Sequence, residues 1–307
     1  MEKRYPATLL CASCVPWTSD FKLDEAAFRR ETEHLIEGGV KSIYILGTAG
    51  EGYAMDTKMF TEVTRVFLDT CKGGEDIMPM IGIISTSMAE MIERIEIAAE
   101  LGARDFQIAS PCWGALNDAD ALTFFRTVCG RFPELKFIHY NNGPRSKTKI
   151  TAKQYTEIAP QVPNLVGAKY STGNLGEIYE LAKADCPVTF FLVDTGYAIG
   201  AMMGTFGFLN SFASLDLPLS WEFFKAGQEK DYEKLIMFFD LYNRIAAPLS
   251  AVGRPMIDAA YDKTIERVAD PSFPNHLYPP YEGLTEEEYR FVDREMKKVL
   301  REYREKH

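Results

Sequence analysis

Lys169 closes a short apolar run, Leu165-Val166-Gly167-Ala168, and opens a polar, glycine-containing turn, Tyr170-Ser171-Thr172-Gly173-Asn174. The run is too short for a helix and reads as a buried strand. An ammonium group there must be paired, exposed at the strand end, or partly neutral, because an unpaired buried charge is costly. A partly neutral lysine is a nucleophile of the Schiff-base type. The plainer alternative is a strand-end lysine pointing at water. Two further stretches bear on that choice. Lys136-Phe137-Ile138-His139-Tyr140-Asn141 is a second apolar run that brings a phenol to its end, and Ser42-Ile43-Tyr44-Ile45-Leu46 runs into the turn Gly47-Thr48-Ala49-Gly50-Glu51-Gly52. A neutral lysine condenses with a ketone, and the iminium is an electron sink for the adjacent carbon–carbon bond. A phenol shuttles protons. Backbone N–H groups of a tight glycine turn, helped by a hydroxyl, hold a small anion such as a carboxylate. Each element has a plainer reading as well: a connecting loop, a core tyrosine with a satisfied hydroxyl.

These residues must be positioned by something that gathers strand ends. Apolar, β-rich runs recur at Thr8–Cys14, Ser42–Leu46, Met78–Ile84, Asp105–Ala109, Lys136–Asn141, Leu165–Lys169, Val188–Val193 and Gly207–Phe212. Between them lie segments of helical periodicity, such as Asp24–Glu37 with Asp24 as N-cap, Asp56–Cys71 and Met88–Leu101. Strands alternating with helices in this way predict an α/β chain, a closed (β/α)8 TIM barrel, whose active sites lie at the C-terminal ends of the strands. An open doubly wound sheet is the runner-up, but no GxGxxG follows the first strand. Trp221–Ala226, Tyr232–Ile245, Pro255–Tyr261 and Thr285–Tyr303 read as further helices, so the expected division is a barrel over residues 1–218 and a C-terminal helical extension over 219–307.

Composition narrows the class. The 307 residues are 46% hydrophobic and 25% charged, the balance of a globular chain. A formal charge of −10 disfavours nucleic acid and anionic membrane surfaces as partners. With no long apolar span and no signal-peptide core, a cytoplasmic location is expected. Cys11 and Cys14 have CxxC spacing, but three residues apart on a strand puts their side chains on opposite faces. No second cysteine or histidine pair completes a zinc site, and His34, His276 and His307 have no companions for a metal or triad. No metal or cofactor is expected. His139 should face away from Tyr140 and read as a packed core histidine.

Three segments together resemble the dihydrodipicolinate synthase/N-acetylneuraminate lyase family of class I, pyruvate-dependent aldolases. Gly47-Thr48-Ala49-Gly50-Glu51 is similar to that family's GTTGE or GSTGE turn. Tyr140-Asn141, followed by Pro144 and Arg145, resembles its YNxP segment. Gly167-Ala168-Lys169-Tyr170-Ser171-Thr172-Gly173-Asn174 resembles its lysine segment. The resemblance implies that Lys169 is the Schiff-base lysine and Tyr140 the proton shuttle, with Thr48 beside it. It also implies a substrate carboxylate held at Thr48, Ala49 and Gly50, and a main-chain carbonyl from Leu209 near the tyrosine. Arg145 keeps the family spacing from Tyr140. A homo-oligomer, dimer or tetramer, is implied too.

The departures shape the expected substrate. Ala49 removes the second of two adjacent hydroxyls. Where the lysine-biosynthetic members carry adjacent tyrosines, one of which enters the neighbouring subunit's site, this chain reads Ser110-Pro111-Cys112-Trp113. Neither Cys112 nor Trp113 replaces a phenol in proton transfer, and Trp113 is expected to wall the site mouth or to pack a dimer interface. Asp194 stands for the usual glycine, placed to accept hydrogen bonds from substrate hydroxyls. The expected function is a Schiff-base-forming lyase acting on pyruvate or a 2-keto-3-deoxy sugar acid, by aldol cleavage, condensation or dehydration. The alternatives are 4-hydroxy-tetrahydrodipicolinate synthase and a catalytically silent barrel that binds a keto acid.

Overall fold

A computed structural model describes residues 1–306; His307 lies outside the described residues. Eight parallel strands close on themselves in sequence order: β1 Leu9–Ala12, β2 Ser42–Ile45, β3 Met78–Ile83, β4 Asp105–Ala109, β5 Lys136–Asn141, β6 Leu165–Tyr170, β7 Thr189–Val193 and β8 Gly207–Asn210. The helices that return the chain are α1 Glu25–Glu37, α2 Thr57–Cys71, α3 Met88–Glu100, α4 Asp118–Gly130, the single turn α5 Gly143–Ser146, α6 Ala152–Ile158, α7 Leu175–Lys183 and α8 Thr195–Met203. Then come α9 Leu217–Glu229, α10 Tyr232–Ala251, α11 Asp258–Ala269 and α12 Glu286–Arg304. The chain is therefore a (β/α)8 barrel with C-terminal helices, α10 packing against α8 and α12.

Local chemistry starts the helices where the sequence marks them. The side chains of Asp24, Asp56 and Ser87 accept the backbone N–H three residues on, each satisfying a donor that the first helical turn leaves free. Two apolar layers result from strand alternation. The outer one packs strands against helices and holds Leu9, Ile43, Phe137, Leu165 and Ala168. The inner one fills the barrel with Leu10, Tyr44, Met80, Ile138, Val166, Phe191 and Leu209. Tyr5 plugs its lower end and donates to Asp105 at 2.9 Å. All six cysteines are free thiols, Cys11 and Cys14 among the buried ones.

One expected helix is misplaced by the sequence reading. The segment read as Pro255–Tyr261 begins only at Asp258, after an extended Ile257, and continues to Ala269. Its C-terminal half escapes an amphipathic reading because two charged residues, Lys263 and Glu266, are buried with the apolar ones. Lys263 explains why. Its ammonium is fully buried against the equally buried carboxylate of Glu51, in the turn after β2, and also donates to the His276 carbonyl at 2.7 Å. Burial pulls the Lys263 ammonium below its ordinary value, and Glu51 opposes that pull. The Glu51 carboxylate also accepts Trp17 Nε1 at 2.8 Å and the Tyr278 amide at 2.7 Å. Removing one member of such a pair strands the other charge in the interior. Lys263→Met should therefore lower unfolding free energy by about 3–5 kcal/mol, read from urea midpoints. A loss below about 1 kcal/mol would match a solvated surface pair instead.

Candidate active site

Lys169 faces the barrel interior because β6 carries a bulge. On β5, Phe137 points to the helices and Ile138 inward. Phe137 pairs with Leu165, but Ile138 pairs with Gly167, so Val166 is the extra residue. Strict alternation from the helix-facing Leu165 would send Lys169 toward the helices as well. The extra residue reverses the face for everything after it. Ala168 then packs outward and Lys169 turns inward, directly opposite Tyr140 in the ladder.

Two phenols surround the ammonium. Lys169 Nζ lies 4.2 Å from the centre of the Tyr140 ring and donates to Tyr44 Oη at 3.2 Å. The Tyr140 hydroxyl sits between Thr48 Oγ1 and Asn142 Nδ2, each 3.0 Å away. Burial is the largest single influence on Lys169 and lowers its pKa, as desolvation demands. Tyr140, Tyr44 and Asp262 together outweigh it, and the net direction is upward. The lysine is therefore an ammonium in the unliganded site, not the partly neutral amine that strand burial alone implies. Burial likewise raises the Tyr44 phenol. Sequence reasoning passed over Tyr44. Its position on β2, two residues before Leu46 and on the inward face, was the available signal.

The turn after β2 is built by close backbone packing. Leu46 and Glu51 both have positive φ, 60° and 52°, and a Cβ on Gly50 would come within 2.5 Å of the Leu46 amide nitrogen. Only glycine fits there. The Glu51 and Gly52 amides are used inside the turn, donating to Thr48 and Gly47 carbonyls. The Thr48 and Ala49 amides donate to no protein group among the described residues. Thr48 and Ala49 are both nearly buried, and Ala49 packs on Cys14 and Phe273.

A cavity of about 220 Å³ opens beside these groups, lined by Thr48, Tyr53, Tyr140, Asn142, Arg145 and Tyr281 among others. Lys169 is not among its lining residues, but Tyr140, whose ring centre lies 4.2 Å from Lys169 Nζ, is one of them. Arg145 is on the rim, brought there by α5, and its guanidinium pairs with Asp258 at 3.0 Å. The Tyr53 hydroxyl is buried without a hydrogen-bond partner among the described residues. Trp113 does not wall the cavity: it is 85% exposed, and Cys112 occupies the lining instead. Leu209 fills the inner barrel layer, and its carbonyl accepts the Asp194 amide at 3.2 Å; among the described residues no hydrogen bond links it to Tyr140. His139 is the packed histidine expected, held between Ser110 and Tyr155 and pushed down to about 3 by burial.

Two carboxyl groups act electrostatically on the lysine, Asp194 and Asp262. Asp194, at the end of β7, has a φ of 45° and accepts the Ser211 amide at 3.0 Å. The backbone there is of the kind that favours glycine. Burial raises its pKa to about 6, against the opposing influence of Ser211 and Lys169. Asp262, on α11, is half-buried and makes no side-chain hydrogen bond or ion pair among the described residues. Desolvation, then Asp258, raise it to about 8, with Asp194 and Glu266 adding to the rise and Lys169 opposing it. The sequence signal missed was three acids at helical spacing, Asp258, Asp262 and Glu266, a like-charged column that weakens a helix. The folded chain keeps the Asp262 proton to about pH 8, whereas the unfolded chain releases it near its ordinary value of about 3.9. The stability tied to that proton is present in acid and lost as pH rises through the folded value. Asp262→Asn should thus match the parent at acid pH and exceed it near about pH 9, by roughly 1–3 kcal/mol after solvent screening. Urea titrations at the two pH values decide this; an equal effect at both would remove the desolvated carboxyl.

Residues 6–199 match the model of the Dihydrodipicolinate synthetase family. The chain is 28% identical over 170 residues to 4-hydroxy-tetrahydrodipicolinate synthase of Salinibacter ruber, covering 55% of each chain. It is 27% identical over 173 residues to the same-named protein of Methanococcoides burtonii, covering 56% of this chain and 57% of that one. The matched region thus spans about half the length of these curated relatives. Among solved structures, the fold is similar to YagE of E. coli K12 in complex with pyruvate, with a TM-score of 0.86 at 17% identity over 96% of this chain and 98% of that one. It is also similar to Proteus mirabilis N-acetylneuraminate lyase, with a TM-score of 0.83 at 20% identity and the same coverage. On the matched motifs and the barrel that carries them, the chain belongs to the dihydrodipicolinate synthetase family.

Proposed function

We propose that the protein is a Schiff-base-forming class I lyase that acts on pyruvate or a 2-keto-3-deoxy sugar acid. The observation that carries this reading is the lysine itself: an inward ammonium at a strand end, against one phenol ring and hydrogen-bonded to a second. The chemistry follows from the side chains. Lys169 first gives a proton to solvent, then its Nζ attacks the keto carbon, and the carbinolamine expels water with a proton supplied from the Tyr140 hydroxyl. In cleavage, the proton of the substrate hydroxyl next to the breaking bond passes to Tyr140. The carbon–carbon electron pair moves to the iminium nitrogen, an aldehyde leaves, and the enamine is reprotonated before water releases the keto acid. Thr48 and Asn142 orient the Tyr140 hydroxyl for both transfers. The free Thr48 and Ala49 amides supply donors for the substrate carboxylate.

Asp194 favours a hydroxylated substrate, since a carboxyl at the end of β7 accepts hydrogen bonds from substrate hydroxyls. The names of the relatives favour a second reading, 4-hydroxy-tetrahydrodipicolinate synthesis. Against it stands the absence of a phenol at Cys112 and Trp113. A homo-oligomer with Trp113 buried by a second copy, and a cytoplasmic location, accompany the proposal; no helix among the described residues is long and apolar enough to cross a membrane.

Borohydride reduction in the presence of pyruvate should add the mass of the reduced adduct to Lys169 alone, mapped by peptide mass spectrometry. Labelling elsewhere, or none, refutes the Schiff-base mechanism and favours the silent barrel. The same protein should release pyruvate or a semialdehyde from some 2-keto-3-deoxy acid. Efficient condensation of pyruvate with aspartate semialdehyde would transfer the assignment to the second reading. Tyr140→Phe should lower kcat by about 10²–10⁴ with KM changed little. A variant within a few-fold of the parent in single-turnover rate would remove Tyr140 from proton transfer.

A further inference from the structure

A cavity of about 820 Å³ lies between α1, the start of α9 and the end of α11, and it shares no lining residue with the one beside Tyr140. Two acids line it, Glu31 of α1 and Glu266 of α11, and each is only 7% exposed. Each is anchored through one oxygen. Glu31 Oε2 accepts the hydroxyl of Ser13, which follows β1. Glu266 Oε1 accepts the hydroxyl of Ser214, which follows β8, at 2.7 Å. Strands β1 and β8 are neighbours in the barrel, so the two carboxyl groups are fixed to adjacent strand ends.

Their other oxygens are unmet. Glu31 Oε1 is buried with no hydrogen-bond partner among the described residues. Glu266 Oε2 makes no hydrogen bond among them either, and neither carboxyl is paired with a cation there. The arginines that line the cavity are already engaged. Arg30 pairs with Asp270 at 3.1 Å and donates to Ser272 at 2.9 Å, and Arg304 pairs with Asp216 at 2.6 Å. The remaining basic side chain of the lining, His34, is exposed. Burial, then Glu266, push the Glu31 carboxyl well above its ordinary value. Two buried acids with unmet acceptor oxygens oppose folding unless something donates to them.

The ligand chemistry follows from the lining. Rim charges cancel in pairs, the two buried acids are uncompensated, and Leu215, Leu217, Pro218, Pro271 and Phe273 supply apolar surface. Apolar walls with a few convergent polar groups are the make-up of a small-molecule site. A hard divalent cation takes about six to eight oxygen ligands, which two free carboxyl oxygens do not supply. A ligand carboxylate would find no unpaired guanidinium. An ammonium brings three donors and no acceptor, which suits two unmet acceptors. We propose that this cavity is a second binding site, which takes a primary ammonium carried on an apolar body, the ammonium donating to Glu31 Oε1 and Glu266 Oε2. The proposal does not depend on the lyase reading, because the two cavities have no residue in common.

The test is calorimetric titration of the full chain with three probes on one skeleton: 2-phenylethylammonium, the neutral 2-phenylethanol and the anionic phenylacetate. The ammonium should bind once per chain and at least roughly tenfold tighter than the alcohol, and phenylacetate should give no binding heat. Glu31→Gln and Glu266→Gln keep the side-chain shape and remove the charge, and each should weaken the ammonium by roughly 10–100-fold. Arg304→Gln, at the rim, should not weaken it. Circular dichroism checks that the variants are folded, and the comparison of the three probes on the parent stands without them. Equal affinity for ammonium and alcohol, no heat with the ammonium at millimolar concentration, or undiminished binding in both glutamine variants would overturn the site. Magnesium chloride binding that Glu31→Gln abolishes would overturn the organic ligand in favour of a metal ion.

Discussion

The buried ion pair between Glu51 and Lys263 is the constraint on which the mouth of the barrel depends. Glu51 ends the glycine turn that presents Thr48 and Ala49, and Lys263 belongs to α11 in the C-terminal helices. Trp17 and the Tyr278 amide complete the carboxylate's partners, so four separate segments meet on one side chain. A buried charge tolerates little displacement, because each lost hydrogen bond leaves it unpaired in a medium that solvates it poorly. The turn and α11 are thereby held in one mutual position.

Charge inside the mouth is the second organising element. Lys169 is an ammonium because phenols and a carboxyl group favour its proton more than burial opposes it. The carboxyl groups respond in the opposite sense: burial and mutual repulsion raise Asp194 and Asp262 toward neutrality. Backbone amides and a hydroxyl gather at the turn after β2, whereas the carboxyl groups lie at the end of β7 and on α11.

Much of this was legible in the chain. Eight apolar runs gave eight strands, and the helices expected from Asp24, Asp56 and Thr285 begin within a residue of those positions. Strand and helix periods are local properties, set by side-chain alternation and by backbone groups that need capping. The charged residues of α11 broke the pattern, because Lys263 and Glu266 are buried by partners more than fifty positions away in sequence. Trp113, expected to wall the site mouth or to pack a dimer interface, is 85% exposed and does not line the cavity.

By itself, the sequence determined the barrel, the strand ends at which chemistry-bearing residues fall, and the pairing of a lysine with a phenol on adjacent strands. These follow from short-range pattern and from the order in which parallel strands join. Only the tertiary structure decided which way those residues face. The bulge at Val166 turns Lys169 inward, Tyr44 rather than Tyr140 takes its hydrogen bond, and a helix from the far end of the chain packs Lys263 against Glu51 in the turn after β2. Register and long-range packing make those choices, and neither is written in any local run of residues: a shift of one residue reverses every side chain beyond it.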